Sequence, residues 1–333
     1  MTETFNIEEY LNSLPEDIKF INLSSLNLTY IPSLKRFHNL KELQCQNNLL
    51  KQLPELSSSL IILCCYNNKL TQLPQLNNSL EWLNCSNNKL THLPKLKNTC
   101  LKSLDCSYNK LTQLPELNHF LENVKCHNNQ LIKIPKLNDS LKILHCYNNQ
   151  LIQLPDLNTS LNELDCNNNK LTQLPELNSC LELLNCHINQ LTQLPKLNNS
   201  LESLACSNNE LTQLPELNSC LNDLYCCNNK LTQLPKLNNS LVELVCYFNP
   251  LPYKLEFASI LTDKKRNKLN QYIICLERFK ELYHSLKFKR QFRDWLWIKI
   301  RLPRIQHQFH PDKLKEMLTD VDEEDLDETL NNW

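Results

Sequence analysis

The sequence has 333 residues, a formal net charge of −1 at pH 7 and no glycine. A net charge this close to zero excludes a global attraction to nucleic acid or membranes, so electrostatic binding would need local charge clusters. Seventeen cysteines without a secretory signal, together with the lack of any apolar run of ~18 residues, predict reduced thiols in an intracellular, cytoplasmic protein with no signal peptide and no transmembrane span.

The chain is predicted to begin with a short capping helix and to continue as a repeat array. Residues 1–17 contain NIEEYLNSLPEDI, which predicts the helix. Between residues 18 and 252 the pattern L-x-x-L-x-C-x-x-N-x-L-x-x-L-P-x-L recurs eleven times at a spacing of about 20 residues, and the last copy departs from it after its asparagine, in YFNPLPYKLEF. A degenerate copy precedes these, so the array has about twelve units. Because one unit cannot bury its own leucines, we expect the units to stack around a continuous core.

Each unit divides into a strand and a return segment. The x-L-x-C-x stretch alternates apolar and variable residues, which predicts a half-buried strand. The fixed prolines of the return segment exclude a helix interior, and 20 residues are too few for a strand and a full helix. The array should therefore have a parallel sheet on one side and mostly extended chain on the other.

The repeat pattern closely resembles the leucine-rich repeat, in its short class with an LPxL return segment. Such arrays are known from bacterial effectors and from giant DNA viruses, and the AT-rich codon usage that the composition implies favours the latter. The resemblance implies an α/β solenoid with a concave parallel sheet and a mostly extended convex side. The recurring asparagine, eight residues after the lead leucine, resembles the family's asparagine ladder. The asparagine before it is expected to adopt the left-handed conformation that glycine usually supplies.

Eleven cysteines occupy one column of the array, five residues after each lead leucine. We expect them to be buried packing residues with free thiols, since a free cysteine behaves as a small hydrophobe. Neighbouring residues of a strand face opposite ways, so Cys64 and Cys227 are expected to be exposed. The column comprises Cys45, Cys65, Cys85, Cys106, Cys126, Cys146, Cys166, Cys186, Cys206, Cys226 and Cys246.

Candidate binding residues lie in the variable columns, two, four, six and seven residues after the lead leucine, because the resemblance places these on the concave face. Aromatic and amphipathic side chains there would supply contact energy at an interface. A mid-array group on neighbouring strands, running from Lys125 to His187, has the character of a recognition patch. The candidates are Tyr66, Trp82, Lys125, His127, His145, Tyr147, Asp165, His187, Tyr225 and Tyr247.

These observations predict a non-enzymatic scaffold that binds a macromolecular partner, expected to be a protein, through the concave face. A metal site would have to use His127, His145, Asp165 and His187, which are spread over four strands and different columns. No Ser-His-Asp order, HExxH motif or glycine-rich phosphate loop is present. We expect no catalytic residue, cofactor or metal. A role as the substrate receptor of an enzyme complex, with the chemistry supplied by another subunit, is an alternative.

Residues 253–333 are predicted to form a helical C-terminal cap or tail, first basic and then acidic. Residues 278–304 hold nine basic and two acidic side chains together with Trp295 and Trp297. One interpretation is a cap that covers the open end of the array through an apolar stripe. The alternative is an adaptor in which the basic helices of residues 264–304 contact nucleic acid or anionic membrane.

Overall fold

The computed structural model of the protein describes residues 5–252 and 261–304. The predictions for residues 1–4, for residues 253–260 and for the acidic terminus at 305–333 lie outside the described residues. Two compact units are distinguished, Met1–Asn270 and Gln271–Trp333. The first contains helix α1 (Ile7–Ser13) and twelve strands, and helix α2 (Asp263–Leu296) begins in it. A π-helical stretch, Trp297–Arg301, follows α2.

The twelve strands form one parallel sheet in which every strand pairs with its neighbours in the chain. The register is the same throughout: on β7 and β8, for example, Leu144 lies opposite Leu164 and His145 opposite Asp165. This arrangement confirms the predicted solenoid. The strands are β1 (Phe20–Asn22), β2 (Glu42–Gln44), β3 (Ile62–Cys64), β4 (Trp82–Asn84), β5 (Ser103–Asp105), β6 (Asn123–Lys125), β7 (Ile143–His145), β8 (Glu163–Asp165), β9 (Leu183–Asn185), β10 (Ser203–Ala205), β11 (Asp223–Tyr225) and β12 (Glu243–Val245).

The core is a stack of leucine and cysteine columns. In β8, Leu164 is buried between half-buried Glu163 and Asp165, and the same alternation recurs along the sheet. The lead leucines from Leu40 to Leu241 and the in-register cysteines from Cys45 to Cys226 are almost completely buried. Between residues 18 and 252 the return segments contain no helix, which confirms the extended convex side.

The ladder asparagine holds neighbouring units together. Asn169 Nδ2 donates to Cys146 O at 3.1 Å and to Cys166 O at 3.0 Å, and its Oδ1 accepts from Leu151 N at 3.0 Å. These main-chain groups have no backbone partner in the sheet, so ladder side chains replace the missing backbone bonds, and Cys146 O accepts from Asn149 Nδ2 as well. Asn48 to Asn249 repeat the pattern, which confirms the predicted role.

The residue before the ladder asparagine is left-handed in all eleven units, as predicted. Its φ lies between 49° and 57° wherever it is asparagine, for example 49° at Asn168. Three units place other residues there: Tyr108 (φ 52°), Ile188 (φ 52°) and Phe248 (φ 56°). A side chain other than asparagine is strained in this region, most of all a β-branched one.

These left-handed asparagines also form a second, unpredicted ladder. Asn67 Nδ2 donates to Asn47 Oδ1 at 2.8 Å and Asn87 Nδ2 to Asn67 Oδ1 at 3.0 Å. The same bonds join Asn128, Asn148 and Asn168, and then Asn208 and Asn228. The substitutions at Tyr108, Ile188 and Phe248 interrupt this amide chain and divide it into three runs. We call these three positions the interruption sites.

Polar side chains satisfy the exposed backbone at both ends of the array. At the first end, Arg36 donates to the carbonyls of Leu11 and Leu14, which fastens α1 to the first units. At the other end, Arg266 Nη2 donates to Leu241 O at 2.8 Å. Asn270 pairs with both main-chain groups of Leu237, at 2.8 and 3.0 Å. The start of α2 therefore occupies the position that a thirteenth unit would take.

The apolar residues of α2 do not form one continuous stripe. At 3.6 residues per turn, Tyr272, Phe279 and Leu286 lie along one side of the helix. Phe288 and Phe292 lie roughly half a turn away, on the opposite side. The helical segment is as predicted, whereas its apolar face changes direction near residue 287. Many of these apolar side chains are exposed.

Candidate functional site

The strand positions on either side of each buried leucine form the concave surface of the sheet. Their side chains stand in two columns, and neighbouring strands are about 4.8 Å apart. These positions carry six carboxylates but one lysine, so the surface is acidic. The carboxylates are Glu42, Asp105, Glu163, Asp165, Asp223 and Glu243, and the lysine is Lys125.

Three rings from successive units form a stack at the middle of the array. The His127 and Tyr147 rings are parallel, with centroids 4.1 Å apart and an interplanar angle of 6°. Tyr108 meets the other side of His127 edge-on at 5.2 Å. His127 is buried by this packing, which lowers its pKa and keeps the imidazole neutral near pH 7. We call Tyr108, His127 and Tyr147 the central stack.

A charged edge adjoins the central stack. His145 Nε2 lies 2.7 Å from Glu163 Oε1, and the His145 ring is 6.5 Å from that of Tyr147. Asp165, opposite His145 in the sheet, accepts from Asn167 N at 3.2 Å and from Asn167 Nδ2 at 2.6 Å. These bonds fix the orientation of polar groups beside the rings.

The structure brings together part of the mid-array group predicted from the sequence. Lys125, His145 and Asp165 lie opposite one another on β6, β7 and β8. His187 instead donates from Nδ1 to Asn185 Oδ1 at 2.5 Å, and burial lowers its pKa. Tyr108 and Glu163 complete the arrangement, although the candidates chosen from the sequence omit both. The sequence signal that could have identified Tyr108 is its position: Tyr108, His127 and Tyr147 each come directly after one of three neighbouring strands, so their rings can meet.

The other candidates lie away from this group. Tyr66 and the exposed Trp82 belong to the first third of the array, four and three units before Tyr147. Tyr225 and Tyr247 lie at its last units, where Tyr225 donates its hydroxyl to Glu243 Oε2 at 2.8 Å. This bond, with burial, raises the pKa of Tyr225 to about 12. The ten candidates therefore form three separate groups.

A cleft of about 510 Å³ opens beside the last group. Tyr225, Tyr247 and Phe248 supply aromatic walls, and Val245 and Cys227 lie between them. The Tyr247 and Phe248 rings meet edge-on, with centroids 5.0 Å apart. Only the two tyrosines are among the residues predicted from the sequence, because the cleft depends on how three consecutive turns are placed. We call it the terminal cleft.

The expected exposure of Cys227 is wrong. Cys227 is 6% exposed, because its thiol packs against Tyr247 and its amide donates to Ser207 Oγ at 3.0 Å. Cys64 is half-buried. Both lie near the concave surface, and Cys227 is covered there by Tyr247 from the next unit. The simple alternation of a strand does not include this lateral covering.

The cysteine column is buried and its thiols are free, as predicted. Burial raises the pKa of Cys45 to about 12 and that of Cys166 well above its ordinary value. A thiol held in this form is a poor nucleophile and a poor metal ligand. Among the described residues, no three His, Cys, Asp or Glu side chains converge so that they could hold a metal ion. The helices described here are also too polar or too short to cross a membrane.

The fold was compared with known proteins. No protein-family model matches the chain, and a comparison with curated proteins finds no match. Among solved structures, YopM from Yersinia enterocolitica WA-314 aligns with 33% identity and a TM-score of 0.63 over 75% of this chain. YopM from Yersinia pestis, a leucine-rich effector protein, aligns with 34% identity and a TM-score of 0.56, covering 70% of this chain and 78% of that one. The chain is a leucine-rich-repeat protein.

A third similar structure shares a feature of the core. The functional domain of InlJ from Listeria monocytogenes, which includes a cysteine ladder, is 28% identical, with a TM-score of 0.60 over 72% of this chain. This leucine-rich-repeat chain spans 60% of the Y. enterocolitica structure and 55% of the InlJ structure. Leucine-rich-repeat proteins are typically interaction scaffolds and their domains are generally non-enzymatic, which agrees with a binding role.

Proposed function

We propose that this leucine-rich-repeat protein is a non-enzymatic scaffold whose concave face binds a partner protein, with the central stack as the anchor. The observation that carries the proposal is the parallel contact of His127 and Tyr147 at 4.1 Å. Both side chains are already ordered by their neighbours. They would lose little conformational freedom when a partner covers them, which favours affinity.

The chemistry of the central stack suits a protein surface. Tyrosine is enriched among interface residues that contribute most to binding, because it combines a large apolar area with a polar hydroxyl. The neutral His127 can be covered without desolvating a charge. At the edge, the His145 and Glu163 pair offers directed polar contacts. An apolar centre with a polar rim is the usual composition of an interface.

The proposal is tested by exchanging one ring. Tyr147→Ser removes one of the three rings of the central stack, and serine is tolerated in this column because Ser86, Ser107 and Ser207 occupy it. The matched control is Tyr66→Ser, the same change in the same column about 19 Å away at four strand spacings. Each full-length variant is used to capture partners from cell extract, with quantitative mass spectrometry. We expect partners to be lost with Tyr147→Ser and retained with Tyr66→Ser. Equal capture by both variants would refute the anchor.

A second candidate function rests on α2. Its basic residues alternate with exposed rings, and Phe292 and Trp295 stack at 6.0 Å. This composition favours contact with nucleic acid or an anionic membrane. Such binding would weaken steeply between 50 and 200 mM salt, whereas the central stack would be nearly insensitive. Salt titration of the full chain against single-stranded RNA and against phosphatidylserine vesicles distinguishes the two functions.

The cellular context follows from composition. We propose a cytoplasmic protein, located in the host cytoplasm if its origin is a giant DNA virus. The support is the seventeen cysteines, all of which have free thiols, together with the AT-rich codon usage that the composition implies. Immunofluorescence of the tagged full chain in infected cells tests this location, and an extracellular or membrane signal would contradict it.

A further inference from the structure

The terminal cleft combines aromatic walls with negative charge. Tyr225 and Val245 point from neighbouring strands, and Tyr247 and Phe248 close the side. Glu243 is two residues before Val245 on the same face of β12, and Asp223 is two before Tyr225 on β11. Glu243 Oε2 accepts a hydrogen bond from the Tyr225 hydroxyl at 2.8 Å, so a carboxylate is fixed directly behind a residue that lines the cleft. The volume of about 510 Å³ is typical of sites that hold a small ligand group.

The two carboxylates repel one another without a compensating cation. Burial, and then the charge of Glu243, raise the pKa of Asp223. Among the described residues neither carboxylate has an ion-pair partner, although seven such pairs occur elsewhere. An incoming positive charge would relieve the repulsion. An anion would increase it, and a purely apolar group would desolvate the carboxylates without pairing them.

Phe248 is held in the cleft against local preference. Its backbone has φ 56°, in the column where eight units place asparagine, and its ring is 71% exposed. An exposed phenylalanine in the left-handed region is stabilised neither by burial of its ring nor by a favourable backbone conformation. Strain of this kind collects at functional positions, where the side chain has a task besides packing. The exposed ring of Phe248 lines the cleft, where it can pack against a bound group.

We propose that the terminal cleft binds the cationic side chain of a partner protein, an arginine or lysine in a basic segment. The aromatic faces would hold the cation by cation–π attraction, and Glu243 and Asp223 would pair with its charge. Arginine fits best, because its flat guanidinium can lie on a ring while it donates to a carboxylate. The proposal rests on the proposed scaffold function only in that the ligand belongs to a protein. It does not depend on the central stack.

The chain allows a direct test because it has only four valines, Val124, Val242, Val245 and Val321. Selective methyl labelling of valine in the full chain gives few NMR signals. Val245 lines the cleft, while Val242 on the adjoining turn is 52% exposed and does not. The probe is the acetylated, amidated peptide Ala-Arg-Ala-Arg-Ala. The comparison peptide carries citrulline, the neutral isostere, in place of both arginines.

We expect the arginine peptide to shift the Val245 methyl signals in a saturable manner and to leave Val242 and Val124 unchanged. The citrulline peptide should shift Val245 at least tenfold more weakly, since the charge supplies most of the attraction. A cleft that takes any aliphatic chain would respond equally to both peptides. That outcome, or an unmoved Val245 at millimolar arginine peptide, overturns the proposal.

Two interruption sites provide a matched pair of variants. Phe248→Asn and Ile188→Asn each replace an exposed apolar residue by the asparagine that the column prefers, so both should fold well. Only Phe248→Asn removes a wall of the cleft. We expect roughly tenfold weaker binding of the arginine peptide with Phe248→Asn, and a change below about twofold with Ile188→Asn. Equal weakening in both, or in neither, would contradict the assignment.

Two further variants separate charge from shape and this site from the anchor. Glu243→Gln keeps an acceptor for Tyr225 but removes the charge, and should weaken the peptide roughly fivefold at low salt. Tyr147→Ser should leave peptide binding unchanged. If Tyr147→Ser abolishes partner capture while the Val245 response persists, the cleft acts independently. If peptide binding fails while capture persists, the cleft proposal falls and the scaffold function stands.

Discussion

The isoleucine at position 188 should be replaceable by asparagine with a gain in stability. Ile188 is β-branched and has φ 52°, a conformation that disfavours an L-residue by about 1–2 kcal/mol and penalises asparagine less. Asparagine would also bridge Asn168 and Asn208 through its amide, restoring two partly exposed hydrogen bonds of about 0.5 kcal/mol each. Ile188 is 44% exposed, so its loss removes roughly half of a buried side chain, about 1 kcal/mol. The net expectation is a stabilisation of about 1 kcal/mol.

The measurement is urea unfolding of the full chain at 25 °C, followed by circular dichroism. The midpoint should rise for Ile188→Asn. The reciprocal variant, Asn148→Ile, places isoleucine at φ 51° and breaks the bonds to Asn128 and Asn168. Its midpoint should fall, because the free energy of unfolding decreases by about 2 kcal/mol, an effect at least as large as the gain from Ile188→Asn. A lower midpoint for Ile188→Asn, or a shift of both variants in the same direction, would show that the left-handed backbone at position 188 does not cost stability.

Three further predictions concern the ladder, the thiols and a histidine. Asn169→Ala leaves Leu151 N unpaired, while Cys146 O and Cys166 O each keep one donor, Asn149 and Asn189, so it should destabilise the chain by about 1–3 kcal/mol in the same urea assay; a loss below about 0.5 kcal/mol would show that the ladder is dispensable. A thiol reagent at pH 8, with mass-spectrometric mapping, should label the native chain at its exposed cysteines and spare the buried column until urea is added; prompt labelling of Cys166 would contradict its burial and raised pKa. Because the pKa of His127 is lowered in the folded state, the unfolded chain binds the proton more readily. The free energy of unfolding should therefore be highest above pH 7 and should fall as the pH drops towards about 5. His127→Asn should reduce this pH dependence, and His187→Asn should reduce it again; unchanged pH dependence in the double variant would refute the assignment. The exposed cysteines are Cys100, Cys180, Cys220 and Cys275.

The periodic positions were predictable because each has one physical requirement, and the same residue type recurs there in most of the eleven units. The buried leucine, the ladder asparagine and the left-handed asparagine all follow from the pattern alone. Cys227 was misjudged because its covering comes from Tyr247 in the next unit, and strand alternation contains no such information. The terminal cleft was missed for the same reason. Its shape depends on side chains from three units and on the backbone at Phe248.

The candidate site could be predicted in part from the sequence. The ring types and their column indicated a recognition surface, and register then determined which rings meet. Tyr147 and His127 stack because both follow adjacent strands at the same offset. Tyr66 and Trp82 have the same chemical character but no aromatic neighbour in contact among the described residues. The chemical character of each candidate side chain can be predicted from its own unit. Which side chains contact one another depends on the order and register of neighbouring strands.

The interruption sites also bear on how the array comes apart. In a solenoid, each unit is stabilised mainly by its two neighbours, so a weakened junction marks where partial opening begins. Tyr108, Ile188 and Phe248 each lack the amide bridge and carry a strained backbone. The twelve-stranded sheet should therefore open in blocks of three or four units rather than one unit at a time. Under a pulling force applied at its ends, the array would lengthen in a few large steps, with the boundaries set by three residues on its surface.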